Sequence, residues 1–145
     1  MLMGKNYNST DAKNRMIIPS KYRDELGYKC VLTKGDDKCL YIYPVREWEK
    51  VREKLSSLPT SDKGIRAYIR KVYSNAVECE VDKQGRLTLP NELREFAGIE
   101  KDLVTVGMMN RVEVWSREIW DAQADDFEAE ANDEELAAKM ADLGI

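Results

Sequence analysis

Asp11-Ala-Lys-Asn14-Arg15-Met-Ile-Ile-Pro19-Ser-Lys-Tyr-Arg23-Asp-Glu-Leu-Gly27 returns downstream as Asp82-Lys-Gln-Gly85-Arg86-Leu-Thr-Leu-Pro90-Asn-Glu-Leu-Arg94-Glu-Phe-Ala-Gly98. Asp, Arg, Pro, a second Arg and the closing Gly recur at a constant offset of 71 (Asp11 to Asp82, Arg15 to Arg86, Gly27 to Gly98). A repeat of this length means that one small structural unit was built twice. Asp, Arg and Pro hold their places while their neighbours change, so the unit needs a turn of fixed shape with a cation just after it.

Each part of the unit has a physical reading. An Asp at the start of a turn accepts hydrogen bonds from backbone N–H groups two or three residues on, which fixes the turn. Position 14 is Asn and its counterpart, 85, is Gly. These residue types best tolerate a left-handed backbone, so positive φ is expected just before each arginine. Arg15 to Ile18 and Arg86 to Leu89 read as short strands. Pro19 and Pro90, lacking an N–H, stop the ladder and stand where a helix can begin. Helices are expected from Ser20 to Leu26 and from Asn91 to Phe96, closed by Gly27 and Gly98.

Working outward, Tyr7 to Thr10 is a short extended stretch, and Cys30 to Thr33 and Leu40 to Tyr43 are strands around the polar turn Lys34–Lys38. Pro44 opens a helix from Val45 to about Leu55. The loop 58–64 leads to a helix from Ile65 to about Tyr73 carrying Arg66, Arg70 and Lys71. The second unit repeats the order with strands at Ala76–Val81, Arg86–Leu89, Leu103–Val106 and Val112–Trp115. Trp48 matches Trp120 at an offset of 72, so one residue was added in between. The expected organisation is a first repeat over 5–48, a helical connector over 49–75, a second repeat over 76–120 and an acidic helical tail over 121–145. Units this small make poor cores alone, so the two should pack on each other and share one. The tail's apolar positions, Phe127, Leu136, Met140 and Leu143, are sparse, which predicts a solvated or frayed helix that could dock on a neighbour.

The chain of 145 residues, 43% hydrophobic and 34% charged, is one globular domain's worth. No run approaches the ~18 apolar residues of a membrane span. The N-terminus lacks the apolar core of a signal peptide, so a cytoplasmic location is expected. Three cysteines without a C-x-x-C spacing read as small buried apolar residues rather than as a disulfide framework or zinc site. Histidine is absent, which removes the usual general base and the commonest zinc ligand. The net charge of −4 hides an asymmetry: residues 116–145 carry ten acidic and two basic side chains, and the remainder is mildly basic.

Two copies of Asp-x-x-x-Arg, each followed three residues later by an apolar-Pro step, resemble the MraZ family of bacterial transcriptional regulators, within the SpoVT-AbrB superfamily. So do the opening Met3-Gly-Lys-Asn-Tyr7 and the Tyr43-Pro44 step leading to Trp48. The resemblance spans about residues 3–120 and leaves the acidic tail without a family motif. It implies an α+β fold: a swapped-hairpin, AbrB-like β-barrel formed by two tandem pseudo-symmetric repeats in one chain, with flanking helices. It further implies a homo-oligomer, a ring, associated with the nucleoid. Such a ring would bind double-stranded DNA at the turn-bearing face, on directly repeated G-rich boxes upstream of the division and cell-wall gene cluster, and repress that cluster.

On this reading Asp11, Asn14, Asp82 and Gly85 fix the turns, and Arg15, Arg86, Lys13 and Lys83 meet DNA. A guanidinium is a planar fork that matches guanine O6 and N7 or a phosphate; a flexible lysine suits phosphate. The bland alternative is that each Asp–Arg pair is only a turn-spanning ion pair, worth ~0–1 kcal/mol. Arg23 and Arg94 read as solvated or core-capping, the connector cations as a solvated face, and Trp48, Trp115 and Trp120 as core or subunit-contact aromatics. A second reading is a protein adaptor or antitoxin-like partner acting through the acidic tail. No enzyme is expected: Asp36-Asp37 and Asp125-Asp126 read as solvated, and there is no Gly-rich phosphate loop, so no catalytic residue, metal, cofactor or small-molecule substrate is assigned.

Overall fold

A computed structural model describes residues 1–145. The first unit runs β1 (Lys5–Ser9), β2 (Arg15–Ile17), α1 (Ser20–Leu26), β3 (Lys29–Lys34), β4 (Leu40–Pro44) and α2 (Val45–Ser56), and α3 (Lys63–Tyr73) follows. The second runs β5 (Val77–Glu80), β6 (Arg86–Thr88), α4 (Asn91–Ala97), β7 (Asp102–Gly107), β8 (Val112–Ser116) and α5 (Arg117–Ala122), then α6 (Ala124–Ala131) and α7 (Glu134–Asp142). The fold is α+β, with antiparallel pairing throughout.

Pairing crosses between the units. β1 lies on β7, β3 on β5, β4 on β8 and β2 on β6. Neither unit completes its own sheet, which is the physical form of the shared core. Six strands make one sheet in the order β1-β7-β8-β4-β3-β5, and β2 and β6 form a separate two-stranded ribbon. The sheet is open, with β1 and β5 at its edges, so the closed barrel implied by the resemblance is not what the strand order describes. The reason lies in the short second strands. β2 and β6 are three residues long and are followed closely by Pro19 and Pro90. A strand that short, cut by a residue without an N–H, cannot bridge β1 to β5.

Side chains alternate across the sheet, and both faces are covered. Leu32, Leu40, Ile42, Leu103 and Val114 pack with Met16 and Leu87 of the ribbon, Tyr22 of α1 and Leu93 of α4. Val31, Tyr41, Tyr43, Val104 and Trp115 turn the other way, toward Trp48 of α2, Val72 of α3, Trp120 of α5 and Phe127 of α6. The molecule is therefore layered: ribbon, α1 and α4; then the sheet; then α2, α3, α5 and α6. Two aromatic trios mark the pseudo-symmetry of the third layer. Trp48 sits 5.6 Å from Tyr43 and 5.5 Å from Tyr73, and Trp120 sits 5.6 Å from both Trp115 and Phe127. Helix α6 thus does for the second unit what α3 does for the first.

The tail is three helices rather than one. Ser116 Oγ accepts from Ile119 N–H as an N-cap, but the helix breaks after Ala122 and again at Asn132-Asp133, where the Asp133 carboxylate caps α7. Phe127 docks on Trp115 and Trp120, so the first part of the tail is held to the body. No side chain of α7 belongs to either core. All three cysteines are free, and burial pushes the Cys30 thiol up to about 12. No helix is long and apolar enough to cross a membrane.

Candidate nucleic-acid interface

Both turns close through the same bonds. In the first, Asp11 N–H donates to Arg15 O and Asn14 N–H to Asp11 O, each at 3.0 Å. Asp11 Oδ1 accepts from Lys13 N–H and Arg15 N–H at 2.9 Å, and Oδ2 from Arg15 Nε at 2.7 Å. In the second, Asp82 Oδ1 accepts from Gln84 N–H and Arg86 N–H at 2.9 Å, and Oδ2 from Arg86 Nε at 2.8 Å. Asn14 has φ 58° and Gly85 φ 77°, the left-handed step that brings each chain back beneath its own carboxylate. Backbone N–H groups of Arg15 and Arg86 first, and their guanidinium groups next, hold the Asp11 and Asp82 carboxyls below the usual carboxylate range.

These bonds aim the arginines. Nε is spent on the carboxylate, which pins the stem; no acid pairs with the outer edge of either fork, though Arg86 Nη2 donates to Gln84 Oε1 at 3.1 Å. Arg15 opposes Thr88 and Arg86 opposes Ile17, so the two guanidinium stems are diagonal neighbours, ~7–8 Å apart at the backbone. Met16, between Arg15 and Ile17, and Leu87, between Arg86 and Thr88, are fully buried. Period-two alternation therefore sends Arg15, Ile17, Arg86 and Thr88 to the opposite, outer face of the ribbon. Lys13 and Lys83 stand exposed on the turns beside it.

Two residues on this face had no signal in the sequence. Ile17 is 48% exposed and Thr88 is exposed, and each lies between the arginines only because β2 pairs with β6. The arginines of α1 and α4 bond backbone. Arg23 Nε donates to Ile18 O at 2.9 Å, and Arg94 Nη1 to Ile99 O at 3.3 Å. Arg23 also presses under the second turn: a Cβ at Gly85 would lie 2.3 Å from its guanidinium carbon. The connector cations Arg66, Arg70 and Lys71 lie on α3, across the sheet from the ribbon.

The family model described as "MraZ protein, putative antitoxin-like" matches residues 1–71 and again 72–143. "Transcriptional regulator MraZ" of Halothermothrix orenii is 48% identical over 145 residues, covering 100% of both chains. The protein of the same name from Acetivibrio thermocellus is 49% identical over the same full span. That of Caldanaerobacter subterraneus is 53% identical over 121 residues, 83% of this chain and 85% of the relative.

Proposed function

The chain belongs to the MraZ family, and from that premise we propose that it is a transcriptional regulator that binds double-stranded DNA through the outer face of the β2–β6 ribbon. The observation that carries this is the pair of Asp-held arginines on one side of a two-stranded ribbon. A two-stranded ribbon is one of the two elements that a B-DNA major groove admits, and arginine to guanine is its commonest specific contact. Two stems rooted ~7–8 Å apart at the backbone are separated by about two base steps of a duplex. Lys13 and Lys83 neutralise phosphates at either side. Ile17 offers an apolar surface to a thymine methyl.

The wider reading keeps the family's implied biology as proposal. The crossed pairing of β1 with β7 and β5 with β3 supports a swapped-hairpin descent of the fold from an AbrB-like unit. The proposed units are 5–48 and 76–120, joined by the connector 49–75 and followed by the tail 121–145. We propose that copies assemble into a ring that engages several directly repeated G-rich boxes at once and represses the division and cell-wall cluster in the nucleoid. Phe127 holds α6 against the third layer, across the sheet from the ribbon, so this part of the acidic tail is kept away from a duplex seated on the ribbon.

The test is retardation of DNA carrying repeated boxes. Arg15→Ala with Arg86→Ala is expected to abolish it while circular dichroism stays that of the parent; retained binding by the folded variant overturns the proposal. The antitoxin-like wording attached to the family and the tail's charge favour one alternative, a protein partner bound through the tail. Truncation after Asn132 separates the two, because it keeps the Phe127 dock: loss of a co-purifying partner with DNA binding intact marks an adaptor.

A further inference from the structure

Helix α3 carries Lys63, Arg66, Arg70 and Lys71 and no acidic residue. None of these cations is ion-paired. Arg66 satisfies Nη1 on the carbonyls of Thr60 and Ser61 instead. Gly64 and Ala67 are exposed among them, a shallow floor ringed by positive charge. The ribbon lies across the sheet, so a duplex seated on it leaves this surface unused.

The complement stands elsewhere on the same chain. Residues 124–142 hold eight carboxylates and one cation, Lys139, and no side chain among them is ion-paired. Leu136 and Met140 of α7 and its C-cap Leu143 fall at i, i+4 and i+7, one side of a helix, outside both cores, and Leu143 is 73% exposed. No tail carboxylate comes within ion-pairing distance of α3 in its own copy.

We propose that α7, with the acidic end of α6, seats on α3 of a second copy, its apolar side over Ala67 and its carboxylates on the four cations. The two surfaces differ, so the contact is head-to-tail, and repetition closes a ring or extends a filament. This rests on the assembly proposed above and names the surfaces that make it.

The experiment reads particle mass by sedimentation velocity on the full chain. One variant carries Arg66→Glu, Arg70→Glu and Lys71→Glu; the other carries Glu130→Lys, Glu134→Lys and Glu135→Lys. Each alone is expected to fall from a multimer to the 16.7 kDa single chain, and an equimolar mixture to regain the multimer, because each supplies the partner the other lacks. Truncation after Asn132 is expected to lower the mass as well, and about 1 M salt to do so for the wild type, since exposed charge pairs are screened there. The inference is overturned if either folded variant keeps the wild-type mass, if the mixture does not reassociate, or if the wild type is itself a single chain. Retardation of DNA with one box is measured alongside. Loss of that binding by the α3 variant at unchanged mass would make α3 a DNA surface and overturn the contact. Arg15→Ala with Arg86→Ala, expected to lose DNA at unchanged mass, reports on the functional reading separately.

Discussion

Gly85 answers two demands at once, and they can be separated. Its φ of 77° is a conformation in which an L side chain is strained by ~1–2 kcal/mol. Its missing Cβ also leaves the space into which the Arg23 guanidinium packs. Asn14, its counterpart, meets only the first demand, at φ 58°. Gly85→Ala is therefore expected to cost about 2–3 kcal/mol, and only about 1–2 kcal/mol in an Arg23→Ala background, a coupling that a double-mutant cycle by thermal unfolding measures. Asn14→Gly should be near neutral. The carboxylates of the same turns set a pH dependence. Asp11 and Asp82 are held below their ordinary 3.8 in the folded chain. Their stabilising bonds are thus complete above that value and are lost as pH falls below it. Stability and DNA retardation should be flat in this respect from neutrality down to about pH 4 and then drop, and Asp11→Asn with Asp82→Asn should flatten the acid limb. A neutral amide keeps one acceptor oxygen but no longer favours the guanidinium.

At the scale of the element, the sheet face beneath the third layer carries one group at odds with its surroundings. Glu113 of β8 is buried, and burial raises its carboxyl above the ordinary 4.5, against the Trp115 Nε1–H bond of 2.9 Å that opposes the rise. A raised acid binds protons more tightly when folded, so it lowers stability as pH climbs through that folded value. Glu113→Gln keeps an acceptor for Trp115 and removes the buried charge; its Tm should exceed the parent's at pH 7 and converge on it below about pH 4.5. Phe127→Ala tests the neighbouring dock and is expected to cost ~1–3 kcal/mol, with a red shift in tryptophan emission as Trp115 and Trp120 meet water. How legible these elements were follows from where their determinants lie. The helices after Pro19, Pro44 and Pro90 and the left-handed steps at 14 and 85 are set by adjacent residues, so local chemistry reveals them. β1 starts at Lys5, two residues before the expected stretch, because it is completed by β7, some 93 residues away at the Ser9–Asp102 contact. Ile17 and Thr88 join the arginine face through a pairing of the same kind. The Asp133 cap that splits the tail was local and readable, three residues before Leu136, but a run of good helix formers masked it.

For the whole molecule, the question is how a chain with so few contacts per copy holds DNA. One ribbon presents two arginines and two lysines, and each neutralised phosphate contributes roughly 0.9 to the log–log salt slope. A single copy should therefore bind weakly and lose affinity steeply with salt. The repeat made the ribbon legible in the sequence, but the layering was not, because the division of the sheet's side chains between two faces depends on which strands pair across units. On the proposed reading that layering separates duties: the ribbon layer would meet DNA, and the opposite layer, carrying α3 and α6, would be left to join copies. Linked sites gain ~10²–10⁴ in avidity over one contact when their spacing matches the target. The gain should vanish when copies are unlinked while the ribbon is untouched. Arg66→Glu with Arg70→Glu and Lys71→Glu is thus expected to bind DNA with one box as the wild type does, yet to lose ~10²-fold or more on DNA with several boxes in direct repeat. Its salt slope on the longer DNA should fall to the one-box value, because only one ribbon then releases counterions. Equal losses on both DNAs would mean that the two layers do not divide the work in this way.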